Sequence, residues 1–358
     1  MAELTAKRMR TGRDRVDMSI TGRLLTARGV EGSLYFYAPN KPAAIVFAAA
    51  FFFSMALHLW QTFHYKSWRV TGYHPFCAAL FTAGFGARSY GAFNFGDVPA
   101  YITGTILVYT APPILELANY HILGRLMYYV PYCAPLHPGR VLSTFGFLSF
   151  FVEVLNGVGI AWLTRPDARE VINRVGDALT KASLVLQLGV ISLFCALAAV
   201  FHLRCRRTGA GRKPQVHRPL ATLYASMALI FVRTVYRVVD HFPVDVLHRT
   251  RGGGLNPMEL SPVLRYEWYF YVFEAALMLV NSCLWNGLHP MRSLPVDYHI
   301  YLSKSGHAEL EGPGWEDNRP AILTWIDPLG LWLKGEDKEV PFSEEEENRR
   351  PSSCVHSA

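Results

Sequence analysis

The feature that most constrains this chain is a set of seven apolar stretches, each about as long as a membrane-spanning helix. They cover residues 42–63, 73–93, 102–123, 142–163, 181–203, 220–239 and 268–288. Crossing about 30 Å of hydrocarbon takes about 20 residues of α-helix. A soluble protein could bury one or two such stretches in its core. Seven of them, joined by short polar connections, predict an all-α, polytopic membrane protein with a seven-transmembrane-helix bundle.

The distribution of charge agrees with this fold class. Apolar residues make up 51% of the chain and charged residues 18%, which is on the membrane side of what soluble domains show. The charges are concentrated in the two tails and in a few connections, so the long stretches between them are almost uncharged.

The connections also indicate an orientation, because cytoplasmic loops carry the excess of Lys and Arg. The connections after the first, third and fifth stretches are basic, and the one at residues 94–101 has no Lys or Arg. This pattern predicts an N-terminus outside and a C-terminus in the cytosol. The basic N-terminal tail and the arginines at residues 165–174 do not follow the rule. The connection after the fifth stretch is the most basic, with Arg204, Arg206, Arg207, Arg212, Lys213 and Arg218.

Three regions follow from these patterns. Residues 1–40 form a basic tail, expected to be extracellular and flexible, and residues 41–290 form the seven-helix domain. Residues 291–358 are hydrophilic and end in an acidic run at 344–347, which predicts a largely disordered cytosolic tail. No continuous apolar segment precedes Pro42, so no cleavable signal peptide is expected.

The common catalytic and metal-binding motifs are not found. The chain has no GxxxxGK[ST], HExxH or GxSxG motif, and its six Cys residues show no metal-ligand spacing. We therefore expect no catalytic residues, no metal, no cofactor and no nucleic-acid partner. The expected partners are membrane lipids or amphiphilic small molecules, and the sequence does not predict an oligomeric state.

Ionisable and amide side chains inside the predicted spans are the candidate functional residues. An ionisable side chain at bilayer depth costs at least about 2.5–3.5 kcal/mol on insertion scales, so each one needs a partner or a function. The spacing of these residues places them on single helix faces, and acids on the third, fourth and seventh helices would face arginines on the second and sixth. The candidate substrate-binding residues are Arg88, Glu116, Asn119, Glu153, Asn156, Arg233, Arg237, Asp240, Glu267 and Glu274.

Two interpretations of this polar interior remain open. The side chains could be structural ion pairs and interhelical hydrogen bonds, which contribute about 0.6 kcal/mol each on average in one well-studied bundle. They could instead line a substrate cavity. So many charges at such a cost favour the cavity for the set as a whole. In that interpretation the acids attract a cationic headgroup, and apolar walls hold an acyl or sterol body.

Several segments resemble the RTA-like family of fungal lipid-translocating exporters. They are APPILELANY at 111–120, HPGRVLSTFGFLSFFVEVLNG at 137–157, KASLVLQLGVISLF at 181–194, LYASMALIFVRTVYRVVD at 223–240 and YEWYFYVFEAALML at 266–279. The resemblance covers residues 35–295, about the whole helical region. One departure lies in the second helix, where many members carry an acid at the position of Phe81; Arg88 of the same pattern is kept.

The resemblance implies a seven-helix fungal membrane protein with an extracellular N-terminus. Members are associated with export or flipping of sphingoid long-chain bases, with resistance to toxic amphiphiles such as aminosterols, and with porphyrin and haem traffic. It favours a translocator of amphiphilic, lipid-like cations in the plasma membrane that contributes to stress or drug tolerance. The alternatives are a seven-helix receptor or stress sensor, and an intramembrane enzyme acting on lipid amides. Such an enzyme would need a His-rich metal site, for which the spans show no motif.

Overall fold

The computed structural model describes residues 40–94, 97–163, 170–241, 266–304 and 308–312. In this part of the chain, long helices occupy all seven predicted stretches. They are α1 Lys41–His64, α2 Tyr73–Phe93, α3 Val98–Tyr129, α4 Pro138–Leu163, α5 Glu170–Arg207, α6 Pro214–His241 and α7. Helix α7 has three consecutive parts, namely Glu267–Phe270, a π-helical turn at Tyr271–Ala276, and Leu277–Gly287. A short helix, Trp68–Thr71, precedes α2.

Five of these helices, α1, α3, α4, α5 and α6, are long and apolar enough to span a membrane. The chain is therefore an integral, multi-pass membrane protein with an all-α bundle. Helix α2 is less apolar because it contains Arg88 and several Gly residues, and α7 is divided by its π-helical turn. The count of seven spans and the sides of the two termini remain predictions.

Local sequence explains where two of the helices begin. The side chain of Asn40 accepts a hydrogen bond from the amide of Ala43 at the start of α1. The side chain of Asp97 accepts one from the amide of Ala100 at the start of α3. Each cap residue satisfies an amide that the first helical turn leaves without a partner. Helix α3 then continues without interruption through Pro112 and Pro113.

Helix α3 lies at the centre of the bundle and packs against α2, α4 and α6, while α7 packs against α6 and α1. Small residues permit the closest approaches. A side chain at Gly104 would come within 3.2 Å of the carbonyl oxygen of Gly84, at the α2–α3 crossing. A side chain at Gly176 would come within 2.9 Å of the carbonyl oxygen of Gly159, at the α4–α5 crossing. Such small-residue contacts are typical of membrane helices.

The bundle buries polar side chains and exposes apolar ones. Glu116, Asn119, Glu274 and Asn281 are at most 1% exposed, whereas Phe53 is 71% exposed. Large apolar side chains also cover the outside of α4, α5 and α6. In water this exposed apolar surface would be unfavourable. A bilayer supplies an apolar environment for it.

After α7 the described chain folds back onto the bundle. A 3₁₀ turn, Pro290–Arg292, leads to two short antiparallel strands, β1 Ile300–Leu302 and β2 Glu309–Glu311, paired with Tyr301 opposite Leu310. This sheet lies within the region predicted to be a largely disordered tail. The N-terminal tail and the acidic run at 344–347 lie outside the described residues.

Candidate functional site

An ion pair joins α2 to the start of α7. Nη2 of Arg88 lies 2.9 Å from Oε1 of Glu267. The other carboxylate oxygen of Glu267 accepts a hydrogen bond of 2.7 Å from the amide of Asn40, so the pair also fixes the start of α1. The guanidinium of Arg88 lies 4.2 Å from the ring centre of Phe270. In the aromatic stretch that begins α7, Phe270 and Tyr271 are buried and Trp268 faces outward.

A second ion pair joins α6 to the π-helical turn of α7. Nε of Arg233 donates a hydrogen bond of 2.7 Å to Oε1 of Glu274, and Nη2 of Arg233 donates to the same oxygen. Glu274 is 0% exposed. A π-helical turn is rare and is often found at functional sites. The widened turn sets the helix face on which Glu274 meets α6.

Arg237, one helical turn beyond Arg233, has a different type of partner. Its guanidinium lies 3.8 Å from the ring centre of Tyr109 on α3, which is a cation–π contact. The described residues place no carboxylate within salt-bridge distance of Arg237. A neighbouring helix therefore supplies an ion-pair partner for Arg233, whereas Arg237 interacts with Glu274 on α7 and Glu153 on α4 at longer range. Tyr109 was not among the predicted site residues.

A cavity of about 30 Å³ lies between α3, α4, α5 and α6. One water molecule needs a cavity of about 10–15 Å³, so this space would hold two or three waters and no lipid. Four of the predicted site residues line the cavity. Its walls include Glu153 and Asn156 from α4, Ser183 and Gln187 from α5, Arg233, Thr234 and Arg237 from α6, and Tyr109 and Pro113 from α3.

Glu153 differs from the other acids of the interior. It is half-buried, and among the described residues no ion pair involves it. Its electrostatic partners are the two arginines of the cavity wall, Arg233 and Arg237, and it shares a hydrogen bond with Asn156. Glu153 therefore faces a cavity whose wall also carries two cations.

Glu116 lies deeper and is held by hydrogen bonds. Its Oε2 accepts bonds from Nε2 of Gln187, at 2.5 Å, and from the hydroxyl of Tyr120, at 3.1 Å. The hydroxyl of Tyr120 also contacts Oγ of Ser149 on α4, at 3.1 Å. This network ties α3 to α4 and α5 directly behind the cavity, because Gln187 is also part of the cavity wall.

Another group of polar contacts lies around Ser226 on α6. Asn119 exchanges two hydrogen bonds with the hydroxyl of Ser226, with distances of 2.9 and 3.2 Å. Nε1 of Trp285 donates to the same hydroxyl at 3.1 Å, and Nδ2 of Asn281 donates to the Ser226 carbonyl at 3.2 Å. Asn119 thus has a partner on α6 and lies in a packed polar layer rather than in the cavity wall.

The ten predicted residues therefore separate into three sets and one single residue, Asp240. Glu153, Asn156, Arg233 and Arg237 line the cavity, with Glu274 bonded to Arg233. Arg88 and Glu267 form a separate pair, and Glu116 and Asn119 belong to deeper hydrogen-bond networks. Asp240 contributes to the field at Arg237 from the end of α6. Ser183, Gln187 and Tyr109 complete the cavity and were not among the predicted site residues.

Three buried acceptor atoms have no hydrogen-bond partner in the described part of the chain, two in the cavity wall and one on the acid that is bonded to Arg233 of the wall. They are Oε2 of Glu274, Oε1 of Gln187 and Oδ1 of Asn156. Buried polar atoms are almost always hydrogen-bonded, since an unmet acceptor costs about 1–3 kcal/mol. The cavity can therefore accept hydrogen bonds from a ligand with several N–H or O–H donors, such as an ammonium group.

The buried residues His58 and His74 have partners inside the bundle. Nε2 of His58 lies 3.1 Å from the hydroxyl of Ser282. The rings of His58 and His74 are 5.4 Å apart. Within the described ranges, no group of three or more His, Cys, Asp or Glu side chains is arranged to hold a metal ion.

Comparison with known proteins identifies related chains. The model of the family described as RTA1 like protein matches residues 75–297. A lipid-translocating exporter-like protein RTA1 from Leptosphaeria maculans is 45% identical over 333 residues, which is 89% of this chain and 63% of that protein. This chain therefore spans less than two thirds of the length of that relative.

Two further relatives are more distant. A lipid-translocating exporter-like protein RTA1 from Ajellomyces capsulatus is 30% identical over 270 residues, which is 71% of this chain and 79% of that protein. Protoporphyrin uptake protein 1 from Saccharomyces cerevisiae is 23% identical over 290 residues, which is 69% of this chain and 88% of that protein. No solved structure matches the chain.

Proposed function

Because this chain belongs to the RTA1 like protein family, we propose that it translocates amphiphilic, lipid-like molecules across a bilayer. Relatives named as lipid-translocating exporter-like proteins support a role in lipid transport in general. We further propose that the preferred substrates are amphiphilic cations, such as sphingoid bases or toxic amphiphiles, and that export supports tolerance to stress. The plasma membrane is the proposed location.

The observation that carries this proposal is the polar cavity within an apolar bundle. Glu153 faces the cavity with no ion-pair partner among the described residues, and buried acceptors on Gln187 and Asn156 belong to the cavity wall. Glu274 lies behind the wall, bonded to Arg233. An ammonium group brings one positive charge and up to three donors, which suits this set of acceptors. The apolar outer faces of α4 and α6 would contact the hydrocarbon part of the same molecule.

The cavity must widen before it can hold such a substrate. At about 30 Å³ it is far smaller than the pockets of roughly 300–1,000 Å³ that bind drug-sized ligands. The Arg233–Glu274 pair is the contact between α6 and α7 next to the cavity. We propose that a cationic headgroup competes with Arg233 for the carboxylates of Glu153 and Glu274, so that binding loosens the contact between these two helices.

Glutamine substitutions test the proposal. Glu153→Gln keeps the shape of the side chain and removes its charge, without breaking an ion pair of the described residues. We expect a protein of normal abundance and location that exports little amphiphile and confers little tolerance. Glu274→Gln is expected to lose the same activity. Glu170→Gln is the matched control, because the side chain of Glu170 is 79% exposed at the start of α5.

Tolerance and untargeted lipid profiles would be compared between cells that lack the chain and cells that express each variant at wild-type abundance. The lipid profiles would also identify the substrate. Full activity of both Glu153→Gln and Glu274→Gln at wild-type abundance would refute a charge-dependent cavity. The polar interior would then be structural.

A receptor or sensor remains the second candidate, and one structural observation bears on it. The segment after α7 docks onto the C-terminal end of α3, where Nη2 of Arg125 donates a hydrogen bond of 2.7 Å to the Pro295 carbonyl. A receptor could transmit a signal through this contact to the following tail. Removing residues 313–358 keeps every contact described here. Loss of signalling output with unchanged amphiphile export would favour the receptor.

A further inference from the structure

The connection between α5 and α6 is an ordered turn that carries an unusually uniform charge. Helix α5 ends at Arg207, a 3₁₀ turn covers Ala210–Arg212, and α6 begins at Pro214. Gly209 has a φ of +82°, a conformation that side-chain-bearing residues rarely adopt. Nη1 of Arg204 donates a hydrogen bond of 3.2 Å to the Ala134 carbonyl, which ties the turn to the connection between α3 and α4.

The basic side chains of this turn are exposed to solvent. Arg206, Arg207, Arg212 and Arg218 all lie on the surface. No Asp or Glu occurs between Asp177 and Asp240 in the sequence. The salt bridges of the described residues lie elsewhere in the bundle, so these four arginines have no carboxylate partner there.

Other arginines on the same side of the bundle are used by the fold. Arg125 is 2% exposed and Arg140 is 6% exposed. Arg125 donates hydrogen bonds to backbone carbonyls and contacts the ring of Tyr298. If the basic residues served only to orient the protein in the membrane, they would not need to lie exposed on an ordered turn that has no Asp or Glu. The contrast with Arg125 and Arg140 indicates that the cations of the turn are available to an external anion.

We propose that this turn, defined by Arg206, Arg207, Arg212 and Arg218, binds the anionic headgroups of lipids in the cytosolic leaflet. The proposal uses the predicted cytosolic location of the turn and is independent of the transported substrate. Arginine binds phosphate oxygens through paired N–H groups, and clusters of four or more basic residues next to a membrane helix attract anionic lipids. The exposed Leu203, one turn before the end of α5, places the cluster next to the apolar surface.

Native mass spectrometry of the purified full chain, titrated with phosphatidylserine, tests the proposal. We expect phosphatidylserine to be retained in preference to phosphatidylcholine. A basic residue near an anionic surface contributes about 1 kcal/mol, so each neutralised arginine should weaken binding about fivefold. Arg207→Gln should therefore lower the affinity about fivefold, and Arg206→Gln combined with Arg207→Gln about 25-fold. Arg174→Gln, at the opposite end of α5 with a side chain that is 78% exposed, should leave it unchanged.

Two further experiments distinguish the lipid from other anions that could occupy the turn, namely free phosphate and the chain's own acidic run. Inorganic phosphate at the concentrations used for the lipid should not displace it; equal competition would assign the turn to free phosphate and overturn the lipid proposal. A full chain with Glu344, Glu345, Glu346 and Glu347 replaced by Gln should bind phosphatidylserine as the wild type does. If only this variant binds the lipid, the chain's own acidic run occupies the turn. Equal retention of both lipids, or equal loss in Arg174→Gln and Arg207→Gln, would also refute the proposal.

Discussion

Removal of both partners of the Arg233–Glu274 pair should destabilise the bundle by less than the sum of the two single removals. Two N–H groups of Arg233 donate to one oxygen of a glutamate that is 0% exposed. Leaving one partner of a buried pair without the other costs on the order of 3–5 kcal/mol in soluble proteins. Hydrogen bonds inside one membrane bundle couple by about 0.6 kcal/mol on average and at most about 1.7 kcal/mol. A doubly bonded ion pair should exceed that range, and we expect a coupling energy of about 2 kcal/mol.

A double-mutant cycle measures this coupling. Glu274→Gln, Arg233→Gln and the double variant would be unfolded in mixed detergent micelles, with the free energy of unfolding followed by tryptophan fluorescence. Glu274→Gln should destabilise the protein most among the single changes, because it leaves a buried guanidinium without a carboxylate. The loss in the double variant should be smaller than the sum of the single losses by about 2 kcal/mol.

The chain contains a matched control for this cycle. Arg174 and Glu170 form an ion pair of the same chemistry with side chains that are 78% and 79% exposed. Exposed pairs of this spacing couple by about 0.3–0.5 kcal/mol. If the Arg233–Glu274 cycle gave a coupling no larger than the Arg174–Glu170 cycle, the pair would not hold α6 against α7, and the proposed opening of the cavity would lose its physical basis.

Three further predictions concern the ends of the bundle. Tags after Ala2 and Ala358 should lie on opposite sides of the membrane, with the C-terminal tag cytosolic; both tags on one side would mean an even number of spans. Arg125→Ala should release the segment after α7 and speed its proteolysis, since Arg125 is its buried anchor; an unchanged cleavage rate would contradict that docking. Burial lowers the pKa of His289 to about 4, so stability should fall as the pH drops from about 6.5 towards 4. His289→Asn, which keeps an acceptor for the amide of Met291, should reduce that pH dependence in a thermal denaturation series; an unchanged dependence would show that His289 does not contribute to it.

The helices could be predicted from the sequence because their signal is local. Apolar length alone located all seven helices, and the cap residues Asn40 and Asp97 lie where α1 and α3 begin. The facing of acids and arginines was also partly predictable. Spacing along a helix placed Glu274 and Arg233 on inward faces, and their contact follows once α6 and α7 are neighbours.

The contacts that depend on the relative rotation of helices could not be predicted. A tyrosine such as Tyr109 looks like any other aromatic residue of a membrane helix, and only the packing of α3 against α6 brings it under Arg237. The π-helical turn of α7 rotates Phe270 and Tyr271 inward. The spacing of apolar residues along the sequence does not indicate that turn.

The folded segment after α7 was missed because its stabilising contacts are nonlocal. Residues 291–304 and 308–312 are hydrophilic, so their composition indicated disorder. Their order comes from Arg125 and Tyr129, about 170–180 positions earlier in the chain, which bond to the Pro295 carbonyl and to Glu309. The composition of a segment shows how much apolar surface it can bury. It does not show which distant residues will contact the segment in the folded chain.

Transbilayer movement of a matched pair of amphiphiles tests the central claim most directly. One amphiphile would carry a primary ammonium headgroup, and the other the same hydrocarbon chain with that amine acetylated and therefore uncharged. Both would be followed in proteoliposomes that contain the purified full chain, with protein-free liposomes giving the background rate. We predict that the chain accelerates the ammonium compound well above background and the acetylated compound much less, because Glu153 and the buried acceptors around the cavity favour a charged donor. Equal acceleration of both compounds, or none of either, would contradict the account.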